Sequence, residues 1–549
     1  MAISLILHGS VFAFLSFLFL ISKCSSENAP IVTLPFGKIL GIHANGHYEF
    51  HNIPFAEPPI GKHRFEPPIP YQQIWDEEFD ATKPMIKCVS FERDTELVGT
   101  EDCLYLHVLT PDINCEKMYP VRIQIHGGAY VMGSPDTVET SILLERGMVI
   151  VTMGYRLGPL GFLSTGDKVI AGNNGLKDQR LAIMWVKKNI KNFCGDENNI
   201  LLGGASAGGA ASHMHLLHKP TENYINAVAS HNAAATCIWS LEPDPKYVSK
   251  AYADVLHCPT DSSEAMKVCL QGKTVNELKE GTFALQYYKN NPFTVFAPVV
   301  ESSDSENPFI TQHPEEIMRN GQTANVTWLV GYTEREGSYN SASFLALNEN
   351  GVAEIEILNE RWDDLAPILL FFNRSMNGEE RLQHSKLLKD TYLGGNKFSE
   401  ENYHLLENMY TDVLFTDEIK KSIFLHRKYC PGKVYVYYYR YPHEFSVGNL
   451  LSQRNDITFG ADHTADTIFI IPKTALKQSV FTDRDIKFSE KLIDMYINWA
   501  NTGVLKFGEK ELPLNTPTDD AVMTFNENCY SVDGCIDDSK AGCSCYSYD

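Results

Sequence analysis

A short glycine-rich segment between a strand and a helix constrains this fold most strongly. The strand-like run 199–203 leads directly into Gly204-Ala-Ser-Ala-Gly-Gly209, and residues 210–217 then have helical character. So sharp a turn holds its central residue, Ser206, in a strained backbone conformation, and side chains two positions to either side would collide with neighbouring backbone. The pattern therefore predicts a turn that presents the Ser206 hydroxyl at the end of a strand, beside the N-terminus of a helix.

The rest of the chain alternates strands with helices. Short runs rich in β-branched and aromatic residues occur at 121–125, 148–153, 327–331 and 434–439, and helical spacing occurs at 176–190 and 487–499. Continuous apolar strands are typical of a sheet that is covered on both faces. We therefore predict the α/β class, with a mostly parallel, twisted central sheet flanked by helices. No linker or repeat divides the interior, so residues 27–549 are predicted to be one large domain.

A second glycine-containing turn, His126-Gly-Gly-Ala-Tyr130, follows the predicted strand 121–125. Small residues allow backbone amides to approach a bound molecule closely, as the cradle for a developing oxyanion requires. The amides of Gly128, Ala129 and Ala207 are the candidates, and His126 is interpreted as a packing residue. Together with the turn at Ser206, this arrangement matches the nucleophile elbow and oxyanion hole of α/β-hydrolases.

Several longer segments carry a resemblance to one family. They are Ile53-Pro-Phe-Ala-Glu-Pro-Pro, Glu101-Asp-Cys-Leu-Tyr-Leu, Tyr155-Arg-Leu-Gly-Pro-Leu-Gly-Phe-Leu-Ser and Gly172-Asn-Asn-Gly-Leu-Lys-Asp-Gln, together with the turn at Ser206. Their order over residues 37–501 resembles the type-B carboxylesterase and cholinesterase family, which has the α/β-hydrolase fold. The overall pattern is most similar to secreted insect carboxylesterases.

The resemblance implies a catalytic triad in the order serine, acid, histidine. Ser206 is the implied nucleophile. Glu336 directly precedes Gly-Ser after a predicted strand, as the family's acid does, which favours it over Glu334, and His463 lies in a loop that resembles the family's histidine loop. The implied reaction is ester hydrolysis through an acyl-enzyme, with His463 as general base and Glu336 orienting it. No metal or cofactor is implied.

Three departures from the family's pattern bear on the substrate and the site. Ala205 replaces the glutamate that many relatives carry before the nucleophile, and the 88–103 loop contains no tryptophan, so an uncharged ester is favoured over a choline ester. Ser230-His231-Asn232 replaces Ser-Gly-Ser beneath the acid, which leaves the contact to Glu336 open. Candidate pocket residues, for which core packing is an equal interpretation, are Trp239, Phe293 and Phe296.

Three other functions remain as alternatives. One is a catalytically weak esterase that acylates quickly, deacylates slowly and so sequesters its ligand. Another is a binding or adhesion protein of the same fold. The third is a lipase, although the sequence shows no dedicated apolar lid. The formal net charge of −22 disfavours nucleic acid, so the expected partner is a small-molecule ester.

The N-terminus predicts secretion. Residues 3–21 form a nearly continuous apolar run followed by small residues, so 1–26 is predicted to be a signal peptide, after whose removal no membrane attachment remains. Asn325-Val-Thr and Asn373-Arg-Ser are potential glycosylation sites of an extracellular protein.

The 13 cysteines become 12 if Cys24 leaves with the signal peptide, so complete pairing is possible. Spacing alone does not define the pairs, and a buried free thiol is the favoured alternative for Cys194 and Cys237. A cysteine-rich tail is predicted at about 529–549. The family resemblance implies four contacts: the disulfides Cys88–Cys103 and Cys258–Cys269, and the ion pairs Arg64–Glu101 and Arg156–Asp178.

Overall fold

The computed structural model describes residues 29–93, 96–136, 141–442, 446–470, 482–526, 529–531 and 546–547. The predicted signal peptide, 1–26, lies outside these residues, and so does most of the predicted cysteine-rich tail.

The strands are numbered in chain order. They are β1 (Ile31–Leu34), β2 (Gly37–Leu40), β3 (Ile42–Ala44), β4 (His47–Pro54), β5 (Phe79–Asp80), β6 (Tyr105–Thr110), β7 (Tyr119–Ile125), β8 (Val149–Met153), β9 (Gly195–Ala205), β10 (Ala227–His231), β11 (Thr327–Thr333), β12 (Val434–Tyr439), β13 (Lys506–Phe507), β14 (Lys510–Glu511), β15 (Leu514–Asn515), β16 (Met523–Phe525), β17 (Cys529–Ser531) and β18 (Tyr546–Ser547).

The helices surround the sheet. They are α1 (Ser141–Glu145), α2 (Gly158–Phe162), α3 (Asn174–Asn189), α4 (Ala207–Leu217), α5 (Pro245–Val255), α6 (Ser263–Gln271), α7 (Val275–Ala284), α8 (Pro314–Arg319), α9 (Ser338–Ser341), α10 (Glu354–Glu360), α11 (Trp362–Leu369), α12 (Gly378–Leu393), α13 (Tyr403–Thr411), α14 (Asp417–Tyr429), α15 (Val447–Ser452) and α16 (Asp483–Thr502). A π-helical turn, Asp412–Thr416, joins α13 to α14.

One large sheet organises the described part of the chain. Its main path runs β18-β17-β16-β12-β11-β10-β9-β7-β8-β6-β4-β3, and β15 pairs with β12. The pairs from β8 through β7, β9, β10, β11 and β12 to β16 are parallel, whereas β3, β4 and β6 at one edge and β17 and β18 at the other pair antiparallel. The predicted α/β architecture with a mostly parallel sheet is confirmed.

Alternate residues of the central strands enter two different cores. Ile200 and Leu202 of β9 pack into the larger core with α3 and α4, while Leu201 packs into the smaller core with residues of α1 and α16. This alternation follows from the two-residue period of a strand, and it explains why the strand sequences are apolar almost throughout.

Three disulfides connect described residues. Cys88–Cys103 and Cys258–Cys269 agree with the pairs that the family resemblance implies. The third, Cys115–Cys194, shows that the free-thiol interpretation of Cys194 is wrong. Cys115 precedes β7 and Cys194 precedes β9, so two adjacent parallel strands bring together residues 79 positions apart. Cys237 is a buried free thiol, as expected.

Three further features concern membrane-spanning helices, the two potential glycosylation sites and the predicted cysteine-rich tail. Among the described residues, no helix is both long enough and apolar enough to cross a membrane. The side chain of Asn325 is exposed and that of Asn373 is half-buried. Cys529, the first residue of the predicted tail, is in a disulfide.

Candidate active site

Ser206 lies between β9 and α4 with backbone angles of φ 58° and ψ −127°. Few non-glycine residues adopt this conformation, so the surrounding structure must enforce it. A Cβ atom on Gly208 would lie 2.3 Å from the carbonyl oxygen of Ile125, and one on Gly209 would lie 2.4 Å from that of His231. The glycines are therefore required because the turn is held between the ends of β7 and β10. The half-buried Ser206 is left accessible.

The second glycine turn lies against this elbow. A Cβ atom on Gly127 would approach the Ala205 carbonyl oxygen to 2.6 Å and Ser206 Cβ to 3.3 Å. Gly128 and Ala129 have φ values of 111° and 54°, so the backbone reverses its direction at these two residues. Within the described residues, the amides of Gly128, Ala129 and Ala207 donate no hydrogen bond to another protein group. Three free donors therefore lie close to Ser206, and free donors beside a nucleophile suit an oxyanion.

His126, at the start of this turn, has a packing role. Its ring stacks on that of Tyr155 at 4.3 Å, and the Tyr155 hydroxyl donates to the His126 carbonyl at 2.8 Å. Burial lowers the pKa of His126 to about 4, so the ring is neutral near pH 7. A neutral stacked ring agrees with the packing interpretation.

Glu336 and His463 are in direct contact. Their Oε2 and Nδ1 atoms are 2.5 Å apart, and the two side chains are 0% and 3% exposed. Glu336 follows β11, where the backbone N–H of Thr333 donates to its Oε1 at 2.7 Å. Glu334, the alternative acid, instead accepts a hydrogen bond from Arg440 at the surface. Of the two carboxylates, Glu336 is the one in contact with His463.

Asn232 supplies the contact that the sequence left open. It follows β10 directly, and its Nδ2 donates to Glu336 Oε1 at 3.0 Å. The preceding residue, His231, accepts a 2.9 Å hydrogen bond from the Ser206 backbone N–H through its carbonyl. A continuous path of hydrogen bonds and one peptide link therefore joins Ser206 to Glu336 and His463 across three neighbouring strand ends. The sequence signal was the departure at 230–232, but its partner could not be identified from one chain.

Aromatic rings surround His463 and the candidate pocket. Phe415, in the π-helical turn, lies 4.8 Å from the His463 ring and 5.9 Å from that of Trp239. Trp239 also contacts Phe293 at 5.8 Å. Phe296 packs against Tyr252 of α5 at 4.9 Å, and no ring contact joins it to Trp239 or Phe293 in the described structure. The structure thus brings together two of the three candidate pocket residues.

Two buried ion pairs support neighbouring loops. Arg64 Nε donates to Glu101 at 2.7 Å, and Arg156 donates to Asp178 through Nε at 2.9 Å and Nη2 at 2.7 Å. Such bidentate contacts fix both position and orientation. Both pairs agree with those that the family resemblance implies. No three His, Cys, Asp or Glu side chains are grouped for a metal ion within the described ranges.

The sheet order, the elbow and the paired histidine and glutamate define the α/β-hydrolase class. Comparison with known proteins places the chain within that class: residues 28–538 match the model of the carboxylesterase family. The chain is 37% identical to Esterase-5A of Drosophila miranda over 520 residues, covering 91% of this chain and 93% of that protein. It is 36% identical to Esterase P of Drosophila melanogaster over 500 residues, covering 89% and 92%. The chain therefore belongs to the carboxylesterase family and is a carboxylic-ester hydrolase.

Proposed function

We propose that the chain hydrolyses uncharged carboxylic esters through an acyl-enzyme on Ser206, with His463 as general base and acid and Glu336 as the residue that orients it. The observation that carries this proposal is the buried 2.5 Å contact between His463 Nδ1 and Glu336 Oε2.

That contact fixes the tautomer of the histidine. An ionised carboxylate only accepts hydrogen bonds, so His463 Nδ1 carries the proton and donates a hydrogen bond to Glu336. The Nε2 atom then has a free lone pair. It accepts the proton of the Ser206 hydroxyl while the serine oxygen bonds to the ester carbonyl carbon. The imidazolium that forms is stabilised by Glu336, and it returns the proton to the departing alkoxide when the carbon–oxygen bond breaks.

The oxyanion forms when the carbonyl double bond opens. The amides of Gly128, Ala129 and Ala207 are its proposed donors, because they have no hydrogen-bond partner among the described residues and belong to the two turns that meet at Ser206. The same groups act again when water, deprotonated by His463, attacks the acyl carbon. The bond from this carbon to the Ser206 oxygen then breaks, the imidazolium returns its proton to Ser206, and the carboxylic acid is released.

Local charge and packing support an uncharged substrate. Ala205, directly before the nucleophile, supplies no carboxylate to attract a cation. Trp239 and Phe293 are in ring contact, and Phe415 connects Trp239 to His463, so a row of apolar rings leads away from the base. The Tyr339 ring, 5.2 Å from that of His463, is a second neighbour of the base and carries no charge near pH 7, because burial raises the pKa of its hydroxyl. Apolar walls with a few polar groups are typical of small-molecule sites.

The test is covalent labelling with a fluorophosphonate ester, followed by peptide mass spectrometry. We expect a single adduct on Ser206, and Ser206→Ala should abolish labelling and lower kcat by roughly 10^6. Ser212→Ala is the matched control, because the Ser212 hydroxyl only bonds back to the Gly208 carbonyl within α4. Full activity of Ser206→Ala would contradict the proposal.

Kinetics distinguish a turnover enzyme from a sequestering one. A fast hydrolase releases a chromogenic alcohol at a constant rate, whereas slow deacylation gives a burst of one alcohol per protein followed by a slow phase. A linear trace at many turnovers supports hydrolysis, and a stoichiometric burst supports sequestration.

We also propose that the protein is secreted after cleavage near residue 26, binds no nucleic acid and is glycosylated at Asn325 and Asn373. Three disulfides between described residues suit an oxidising compartment. Sequencing the N-terminus of protein recovered from culture medium, and measuring its mass with and without enzymatic deglycosylation, tests the proposals of secretion and glycosylation. An N-terminus at Met1 or an unchanged mass would contradict them.

A further inference from the structure

A second buried carboxylate lies behind the acid of the proposed triad. Asp466 follows His463 by three residues and is 1% exposed. The Nδ2 atom of Asn232 donates to Asp466 Oδ1 at 3.0 Å and to Glu336 Oε1 at 3.0 Å. Both hydrogens of one amide group are therefore shared between two acids. The opposite orientation would place Asn232 Oδ1 against two carboxylates, so electrostatic repulsion fixes the amide as observed.

The second oxygen of Asp466, Oδ2, is held by a row of hydrogen-bonded side chains that begins with Tyr437. Tyr437 donates its hydroxyl hydrogen to Asp466 Oδ2, so the Tyr437 oxygen must accept from His231 Nδ1, which is 2.5 Å away. The Tyr496 hydroxyl lies 3.0 Å from His231 Nε2. Burial lowers the pKa of His231, which favours the neutral ring with its proton on Nδ1. Burial alone raises the pKa of Asp466, but the nearby His231 ring, whose Nδ1 lies 3.5 Å from Oδ2, and the hydrogen bonds from Tyr437 and Asn232 outweigh this effect and hold the pKa below its usual range.

One buried cation lies near this network. The Arg122 guanidinium lies 4.9 Å from the centre of the Tyr496 ring and is 1% exposed. Arginine keeps its charge when buried, and here it packs on Tyr496, whose hydroxyl contacts His231. Among the described residues, the charged and titratable groups around Asp466 are His231 on β10, Glu336 after β11, Tyr437 on β12 and His463 three positions earlier in the chain, followed by Tyr496 on α16 and Arg122 on β7 beyond His231.

We propose that Asn232 and Asp466 are positioning residues for ester hydrolysis: Asn232 holds Glu336 against His463, and the Asp466 charge stabilises the imidazolium that forms during the reaction. The inference rests on the proposed function of Ser206, Glu336 and His463. Its physical basis is that a fixed negative charge in a water-poor interior favours a nearby cation more strongly than it would in water.

The direction of the pH effect follows from this charge. Asp466→Asn keeps the size, removes the negative charge and replaces one of the two accepting oxygens with an N–H donor. The imidazolium then loses its proton at lower pH, so the acid limb of the kcat/KM profile moves to lower pH by at least about half a unit. The plateau value of kcat falls on the order of tenfold, because the imidazolium of the transition state is less stabilised. KM is expected to stay unchanged.

Asp485→Asn is the matched control. Asp485 is also a buried aspartate that accepts from a tyrosine hydroxyl, Tyr441, at 2.6 Å, and it closes the capping box of α16 by accepting from the backbone N–H of Thr482 at 2.8 Å. The same chemical change there should leave the acid limb in place. A shift in Asp466→Asn alone supports the proposal, whereas profiles that coincide for wild type and both variants overturn it.

Removing the side chain of Asn232, which donates to both Glu336 and Asp466, gives an independent test. Asn232 has a φ of 61°, so Asn232→Gly removes the side chain without backbone strain. We expect kcat to fall with KM unchanged. Because Asp466 is coupled to Glu336 through this amide, the loss in the double variant Asn232→Gly/Asp466→Asn should be smaller than the product of the two single losses. Multiplicative losses would overturn the coupling.

Tyr437→Phe serves if Asp466→Asn does not fold. It removes a donor from Asp466 and keeps the charge, so the acid limb should move to higher pH; an unchanged limb overturns the proposal.

Labelling of Ser206 by the fluorophosphonate in every variant separates the proposed function of Ser206 from the proposed positioning role of Asn232 and Asp466. An unlabelled wild type refutes the proposed function, while a labelled, active Asp466→Asn enzyme with an unshifted profile refutes only this inference.

Discussion

The backbone N–H of Ser206 donates a 2.9 Å hydrogen bond to the carbonyl of His231, and this bond attaches the elbow to the neighbouring strand β10. The same strand continues into Asn232, which bonds Glu336. Ser206 and Glu336, the proposed nucleophile and acid, are therefore positioned by two successive residues at one strand end. Rigid strand ends hold catalytic groups more accurately than mobile loops do, which is the physical advantage of this arrangement.

Glu336→Gln is expected to lower kcat on the order of 10^4 with little change in KM. Three donors converge on Glu336, from His463, Thr333 and Asn232, and a glutamine would direct an N–H group at one of them. Steady-state kinetics measures the loss. Glu334→Gln, on the same loop but bonded to Arg440, is the control and should stay within about twofold of wild type. Comparable losses in both variants would contradict the assignment.

Gly127→Ala is expected to lower kcat by at least about 10^2, because its Cβ would lie 2.6 Å from the Ala205 carbonyl and displace the turn that carries the oxyanion amides. Overpacking should also destabilise the fold by about 1–3 kcal/mol. Gly378→Ala, at the start of α12 with nothing within 4 Å of its Cβ, should leave activity unchanged and stability equal or up to about 1 kcal/mol higher. Kinetics and urea unfolding measure both; a fully active Gly127→Ala enzyme would exclude close contact of the two turns.

The disulfides Cys115–Cys194 and Cys258–Cys269 close loops of different length, so they should differ in their effect on the free energy of unfolding. Cys115–Cys194 links residues 79 positions apart and Cys258–Cys269 residues 11 apart. In the chain-entropy model, removing the first lowers the free energy of unfolding by about 4.5 kcal/mol and removing the second by about 3 kcal/mol. Paired Cys→Ala variants in urea unfolding test the order. A larger loss for the shorter loop would show that effects other than chain entropy dominate.

Acid should destabilise the protein before its carboxylates titrate. Burial lowers the pKa of His107, His126 and His426 to about 3, 4 and 3. In the unfolded chain histidine has a pKa of about 6.5, so unfolding binds protons as the pH falls below that value. The stability is complete above pH 6.5 and is lost progressively toward pH 4, at about 1.4 kcal/mol per pH unit for each histidine. Urea midpoints from pH 7 to 5 measure the slope.

A pair of variants checks the origin of this slope. His426→Phe should reduce the number of protons bound on unfolding by about one, and so lower the slope of stability against pH, because a phenylalanine can pack beside Trp328 without titrating. His404→Phe, at an exposed position, should leave it unchanged. Equal slopes for all three proteins would show that buried histidines do not control acid stability.

Several features could be predicted from the sequence because they are local. The elbow at Ser206 needs glycines at fixed offsets, and the strands of a doubly covered sheet need continuous apolar residues, so both are visible in a short window. The choice of Glu336 over Glu334 came from the family resemblance, and its contact with His463 agrees with it.

Other features depend on contacts between distant residues, and only the tertiary structure determined them. Cys115 meets Cys194 because β7 and β9 are neighbours, which no spacing rule shows. Phe296 packs against α5 rather than against Trp239, since the direction of a side chain outside regular structure depends on its surroundings. The amide of Asn232 bridges Glu336 and Asp466, residues more than 100 positions away. Sequence by itself determined the local geometry that strands, turns and glycines enforce. The order of the strands in the sheet decided that the buried carboxylates of Glu336 and Asp466 accept from the same donor, the amide of Asn232. Strand order depends on contacts between distant residues, so a short stretch of sequence does not show it.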